Sequence, residues 1–282
     1  MKATPGSKAL LVAALVCVSS ALLDGCKPDA ALKKAEVVGK GTKQPSQPPY
    51  IAPSATVGGD TASAPVGNGT ISGTIAFEGK PPAKIVIDTT MDPACSMSSA
   101  KPVYTEQYVV SNGKLGNVFV YVKNGPPAAL QAGPISTQPV VLDQKGCQYV
   151  PHVIGVMQGG YVEFRNSDLT MHNIHTMPTA IGNETVDVTE GPRGAAVTKQ
   201  FARPELMIPV RCNNHPWMNA FVNVSATPFF AVTDASGHFS LSGLPAGDYT
   251  LGAVHEKLGE KDVQVTVPAN GTTKADFSFG MK

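Results

Sequence analysis

Three residues with metal-binding side chains lie close together in the last third of the chain. Cys212 precedes His215 by three positions, and Met218 follows after another three. Pro216 interrupts this stretch, which therefore favours a loop over a helix. A loop can turn all three side chains toward one point. A thiolate, an imidazole nitrogen and a weak thioether are three of the four ligands of a blue copper site, which needs one more imidazole.

A second stretch upstream contains two candidates for that imidazole. His172 and His175 follow a predicted strand at residues 161–165 and are expected to lie on a loop. A lone Cys-x-x-His motif would be a weak signal. Together with the methionine and an upstream histidine, it predicts one copper ion in a His₂Cys site with a long axial Met.

The two stretches resemble the cupredoxins, and the amicyanin and plastocyanin forms most closely. In that family the upstream ligand is the His of a His-Asn pair just after a strand, which corresponds to His172 and Asn173. The downstream Cys-x-x-His-Pro-aromatic-Met pattern corresponds to residues 212–218, and the whole resemblance covers roughly residues 116–225. The resemblance implies four copper ligands: His172, Cys212, His215 and Met218.

The resemblance also implies a function, which is the transfer of single electrons through a type 1 copper ion cycling between Cu(I) and Cu(II). The exposed edge of His215, framed by Pro216 and Trp217, would be the electron exit. The partner would be a cytochrome or an oxidoreductase. We expect no enzymatic activity, because the sequence has no phosphate loop, no nucleophile elbow and no His-Glu-x-x-His motif.

Several side chains leave alternatives open. His175 could replace His172 as a ligand or add to the set, whereas His255 could cap the site or have a structural role. Met171 and Met177 could be ordinary packing residues or could form a surface that receives Cu(I).

Two other functions remain as alternatives, of which only the first uses the same copper ligands. The first is copper handling, as a chaperone, storage or resistance protein. The second is a non-redox structural or binding module. Nucleic acid is not an expected partner, because only 15% of residues are charged and the net charge is +1.

The N-terminus has the features of an export signal. Lys2 and Lys8 precede an apolar run that ends near residue 23. Residues 23–26 resemble the lipobox of bacterial lipoproteins, although Asp24 departs from its pattern. This resemblance implies a lipid anchor at Cys26 and a periplasmic or cell-envelope location. The alternative is a soluble exported protein that is cleaved nearby.

The five cysteines are Cys17, Cys26, Cys95, Cys147 and Cys212. The first lies in the signal, and the second is the predicted site of the lipid anchor. Of the remaining three, Cys95 and Cys147 are favoured as a disulfide, since neither has a histidine within three residues. Cys212 is then a free thiol. If Cys26 is retained instead, it could pair with one of the others.

Period-two alternation with Gly, Pro and Asn between the runs predicts an all-β, cupredoxin-like Greek-key sandwich. A smaller sandwich follows, because residues 233–251 resemble the carboxypeptidase regulatory-like (transthyretin-like) fold in their glycine-turn and Leu-Pro-Ala-Gly-x-Tyr pattern. The predicted segments are a signal peptide (1–25), a flexible linker (26–68), a cupredoxin-like domain (69–226) and a carboxypeptidase regulatory-like domain (227–282).

Overall fold

The computed structural model describes residues 67–99 and 101–281. The predicted signal peptide, the lipid anchor at Cys26 and nearly all of the linker lie outside the described residues. Within the described part of the chain, no helix is long and apolar enough to cross a membrane.

The described residues form an all-β structure, which confirms the predicted fold class. A short helix, α1 (Pro93–Ser98), and a 3₁₀ turn, Pro127–Leu130, accompany the strands. In chain order the strands are β1 (Gly69–Glu78), β2 (Val110–Ser111), β3 (Lys114–Leu115), β4 (Phe119–Asn124), β5 (Val140–Gln144), β6 (Tyr149–Val150), β7 (Val153–Met157), β8 (Tyr161–Asn166), β9 (His172–Thr176), β10 (Asp187–Glu190), β11 (Val197–Gln200), β12 (Glu205–Arg211), β13 (Asn219–Ser225), β14 (Phe230–Val232), β15 (His238–Leu244), β16 (Gly247–His255), β17 (Gly259–Val267), β18 (Thr272–Lys274) and β19 (Phe277–Gly280).

Strands β5 to β13 form what we call the inserted sandwich. One sheet has the order β10-β9-β12-β13-β7, and the other has the order β11-β8-β5-β6. Alternate side chains of the strands point between the two sheets, as in Val162 and Phe164 of β8. These residues join Leu142, Ile154 and Val222 in a fully buried apolar core. This sandwich carries His172 and the stretch from Cys212 to Met218.

The strands before and after the inserted sandwich form a second one, the flanking sandwich. Its sheets have the orders β15-β1-β3-β2, with β18 and β19 also pairing with β1, and β14-β4-β16-β17. Ile71 and Ile75 of β1 are buried against Phe239 and Phe279, which come from β15 and β19. The core of this sandwich therefore combines residues from both ends of the described chain.

The strand pairing crosses the predicted boundary between residues 226 and 227. Strand β1 runs antiparallel to β15 and pairs Ile71 with Leu241, while β4 lies between β14 and β16. Alternation identifies strands but not their partners, so the sequence pattern did not reveal that β1 to β4 share sheets with strands after residue 227.

Candidate metal centre

Two neighbouring strands bring the candidate ligands together at one end of the inserted sandwich. β9 begins at His172 and pairs with β12, which places His175 beside Arg211. β12 and β13 form an antiparallel pair, and the pair of residues nearest the connecting loop is Arg211 and Asn219. The loop between them holds Cys212, His215 and Met218, so the loop and the start of β9 meet at the same edge.

The ligand atoms of three predicted residues converge. The Nδ1 atoms of His172 and His215 are 2.9 Å apart, and Sγ of Cys212 lies 3.6 Å from Nδ1 of His215. All three ligand atoms lie within 4.8 Å of one another. A single ion roughly 2.0–2.3 Å from each atom can bridge such a spacing.

Met218 lies in the same loop and is buried. Its backbone N–H donates to the carbonyl of His215 at 2.9 Å, and its own carbonyl accepts from the N–H of Cys212 at 3.2 Å. These bonds close the loop on itself. The Met218 side chain is buried in the same apolar cluster as Cys212.

His175 is not part of this convergence. Residues 172–176 form a strand rather than the predicted loop, and positions 172 and 175 of a strand face opposite sides. His172 is fully buried, while His175 is partly exposed and its Nδ1 lies 3.2 Å from Oδ1 of Asn213. The strand geometry therefore favours His172 as the upstream ligand.

Asn173 connects the two halves of the centre. Its backbone N–H donates to Sγ of Cys212 at 3.3 Å, and its side-chain oxygen accepts from the N–H of Asn213 at 3.4 Å. The Asn173 amide donates to Asp187 on β10 at 2.9 Å, which fixes its orientation. This residue thus ties the thiol-bearing loop to β9.

Two carboxylates hold the outer nitrogens of the histidines. Nε2 of His172 lies 2.9 Å from Oδ2 of Asp168, and Nε2 of His215 lies 3.1 Å from Oδ2 of Asp92. A carboxylate on the far ring nitrogen fixes the tautomer, directs Nδ1 toward the centre and makes that nitrogen more basic. Neither residue was predicted from the sequence. Asp168 lies four positions before His172, which is a local signal, whereas no local signal connects Asp92 with His215.

The electrostatics favour a thiolate at neutral pH. Burial raises the pKa of Cys212. Hydrogen bonds with His172, the Asn173 N–H and His215 lower it by more than burial raises it, so the pKa is about 6. Burial lowers the pKa of His172, but its hydrogen bonds with Asp168 and Cys212 raise it to about 9. The thiolate is the form of cysteine that binds metals.

The prediction that the edge of His215 is exposed is wrong. The residue is only 4% exposed, because α1 and the residue before it lie against its outer edge. Besides the contact with Asp92, Sγ of Cys95 lies 3.7 Å from Nε2 of His215. Trp217 is half-buried, with its ring 5.1 Å from that of His215.

The structure joins Cys95 and Cys147 in a disulfide, and Cys212 is the free thiol among the described cysteines. The disulfide adjoins both histidine ligands. Cys147 donates its N–H to Asp168 at 2.7 Å, and its carbonyl accepts from Nε1 of Trp217 at 3.0 Å.

The remaining buried histidines lie elsewhere. Nε2 of His152 is 2.6 Å from Oε1 of Glu256, so this histidine has a buried acidic partner. The ring of His255 stacks on Tyr108 with centroids 5.9 Å apart, and its Nδ1 accepts from the N–H of Lys257 at 3.2 Å. These contacts give His255 a structural setting in the flanking sandwich.

The donor set fits copper. Two imidazole Nδ1 atoms, a thiolate and a buried thioether from the same loop offer the borderline and soft ligands that suit both of its oxidation states. All four of these groups are on the loop or at the end of a strand of a packed sheet, which limits their rearrangement.

The comparisons with known proteins give one family and several structural likenesses. Residues 210–280 match the carboxypeptidase regulatory-like domain family. No curated protein matches the chain. The copper-containing nitrite reductase of Thermus scotoductus SA-01 is similar at 23% identity and a TM-score of 0.29, over 33% of this chain and 24% of that one.

Two amicyanin mutants in the Cu(I) form, each with one methionine replaced by alanine, are also similar. The first has 21% identity and a TM-score of 0.29, over 32% of this chain and 86% of that one. The second has 18% identity and a TM-score of 0.28, over 39% and 99% respectively. The family match supports the predicted carboxypeptidase regulatory-like sandwich at the C-terminal end of the chain.

Proposed function

We propose that the protein binds one type 1 copper ion and carries single electrons between redox partners. The observation that carries this proposal is the convergence of His172 Nδ1, His215 Nδ1 and Cys212 Sγ. Met218 is buried in the same loop as the latter two residues. Bound copper would supply a one-electron couple between Cu(I) and Cu(II).

The chain's own residues would supply a rigid, dry ligand set for that couple. Asp168 and Asp92 hold the two imidazoles by their outer nitrogens, and Asn173 holds the thiolate. A ligand set that is fixed from outside changes little when the charge at its centre changes, which favours rapid electron transfer.

We further propose that the protein acts in the periplasm or cell envelope, tethered by a lipid at Cys26. There it exchanges electrons with a cytochrome or an oxidoreductase, without catalysis of its own. The half-buried Trp217, whose ring contacts His215, is the side chain best suited to the electron exit.

Reversible redox cycling tests this function. The copper-loaded protein should gain and lose one electron repeatedly, with the same visible spectrum after each cycle. His172→Ala should abolish that behaviour, whereas His238→Ala, which changes an exposed histidine outside the centre, should retain it. Copper that binds but does not cycle would contradict the proposal.

Copper handling is the second candidate, and one observation favours it. Three methionines near the covered side of the centre are exposed, at 74% for Met91, 81% for Met97 and 49% for Met171. Thioethers bind Cu(I). Under this alternative, Cu(I) would bind tightly without a redox cycle, and Met91→Leu with Met97→Leu would slow its uptake.

A further inference from the structure

One segment between β1 and β2 covers the metal centre on its outer side. Its base is closed where the N–H of Ile87 donates to the carbonyl of Val103 at 2.8 Å, and that of Thr105 to Ile85 at 2.9 Å. Between these bonds, the described residues 88–99 and 101–102 include Asp92 and α1. We call these residues the lid, because Asp92 and Cys95 lie against the outer edge of His215.

The lid has a carboxylate and a disulfide as its attachments to the centre. Oδ2 of Asp92 accepts from Oγ1 of Thr170 at 2.8 Å and lies 3.1 Å from Nε2 of His215. Three residues further on, Cys95 is bonded to Cys147. The large apolar side chains of α1 and the turn before it add little packing, since Met91 and Met97 point outward.

The closed lid completes the burial of the centre. All four proposed ligands are at most 4% exposed: His172, Cys212, His215 and Met218. The disulfide that fastens the lid is itself buried, so a reducing thiolate has poor access to its sulfurs. A metal ion therefore needs the lid to move away, and the disulfide opposes that movement.

We propose that Asp92 is a positioning residue for His215, and that the disulfide between Cys95 and Cys147 locks the lid after the metal has entered. This inference rests on the proposed function, because it concerns the same ligands. In the locking step, the two thiols lose two electrons and two protons to an external disulfide oxidant, which becomes a dithiol. The metal is then trapped, and its exchange is slow.

The lid can be tested without any metal, through the reactivity of Cys212. The metal-free full chain is treated with iodoacetamide, and alkylation is read by mass spectrometry on the peptide that contains Cys212. We expect the rate to rise about tenfold or more in the double variant Cys95→Ser with Cys147→Ser, because local opening no longer works against a covalent bond. Circular dichroism of both proteins checks that the fold is retained.

Asp92→Ala keeps the disulfide and provides a second route if the double variant fails to fold. It should also accelerate alkylation, while Asp92→Asn, which can still accept a hydrogen bond from His215, should restore the slow rate. Glu163→Ala, a change of a carboxylate on β8 away from the lid, is the matched control and should react like the wild type. Equal alkylation rates in all folded variants would contradict the proposal that the lid limits access to Cys212.

A metal measurement separates this inference from the function on which it rests. Copper is removed from the loaded proteins by a Cu(I) chelator under reducing conditions too mild to open the buried disulfide. Removal should be about tenfold faster or more from the double variant. If neither protein binds copper, the proposed function fails and the alkylation rates still decide the lid. If both bind copper and lose it equally fast, the proposed copper binding stands and the lock is wrong.

Discussion

At the scale of single residues, the centre depends on a coupled pair. Cys212 and His172 each shift the pKa of the other toward the charged form, even though both are buried. Asp168 stabilises the charge on His172 from the other side, and Asn173 donates an N–H to the sulfur. The pair therefore holds a thiolate in place before any metal arrives.

A titration of the metal-free protein checks that thiolate. The ultraviolet absorbance of the Cys212 thiolate should appear with a midpoint near pH 6, because the pKa is lowered to about 6 from the ordinary value of 9.0. In His172→Gln the midpoint should rise, since the largest lowering interaction is lost. A midpoint near the ordinary value in the wild type would show that the thiol lacks these hydrogen bonds.

Removing the charge of Asp168 should weaken metal binding. Asp168→Asn leaves His172 without its carboxylate, and loss of such a partner reduces metal affinity roughly 10–100-fold. Competition with a chelator of known affinity measures the change. Asp276→Asn is the matched control, because this carboxylate also accepts a backbone N–H, from Thr74 in the flanking sandwich. Unchanged affinity in Asp168→Asn would remove the carboxylate from the account.

At the scale of strands, local patterns predicted a strand but not its neighbours. The strand predicted at residues 161–165 is present as β8, with nearly the same bounds. The segment after β8 was predicted as a loop because His172, Asn173 and His175 are poor indicators of a strand. Pairing with β10 and β12 makes it a strand, and only that pairing separates the two histidines by face.

Strand β16 ends with a histidine that should make the protein sensitive to acid. Burial lowers the pKa of His255 to about 4 from 6.5, and its Nε2 has no hydrogen-bond partner among the described residues. The unfolded chain therefore takes up a proton between these pH values while the folded chain does not. The contribution of the neutral His255 to the free energy of unfolding is fully present above pH 6.5. It is lost as the pH falls toward 4, by at most about 3 kcal/mol.

Denaturant unfolding at several pH values tests this effect. His255→Asn keeps an acceptor near the position of Nδ1 but cannot titrate, so its stability should fall less between pH 6.5 and 4 than that of the wild type. The exposed His238 offers the control, since His238→Asn should keep the wild-type slope. The same slope in His255→Asn would assign the acid sensitivity to other groups.

At the scale of the whole molecule, the long-range contacts were beyond prediction. The pairing of β1 with β15 and the contact of Asp92 with His215 each join segments separated by more than a hundred residues. Neither contact has a local pattern in the sequence. By contrast, Cys212, His215 and Met218 could be predicted as neighbours because one short loop holds them.

The shared sheets predict that a fragment cut at residue 227 cannot fold. Residues 227–282 alone would lose β1, the partner of β15, β18 and β19, and would lose β4, which lies between β14 and β16. Circular dichroism should show no cooperative thermal transition for this fragment, whereas residues 67–282 should melt cooperatively. A cooperative transition in the isolated fragment would favour the predicted boundary over the observed pairing as the folding unit.

The most direct measurement of the central claim is a copper titration followed by visible absorption and electron paramagnetic resonance. One equivalent of Cu(II) should give an intense blue colour and the resonance spectrum of a type 1 site, because a thiolate coordinated with two imidazoles produces both. Cys212→Ser should bind without the colour or not at all. A colourless Cu(II) complex of the wild-type protein would contradict the account.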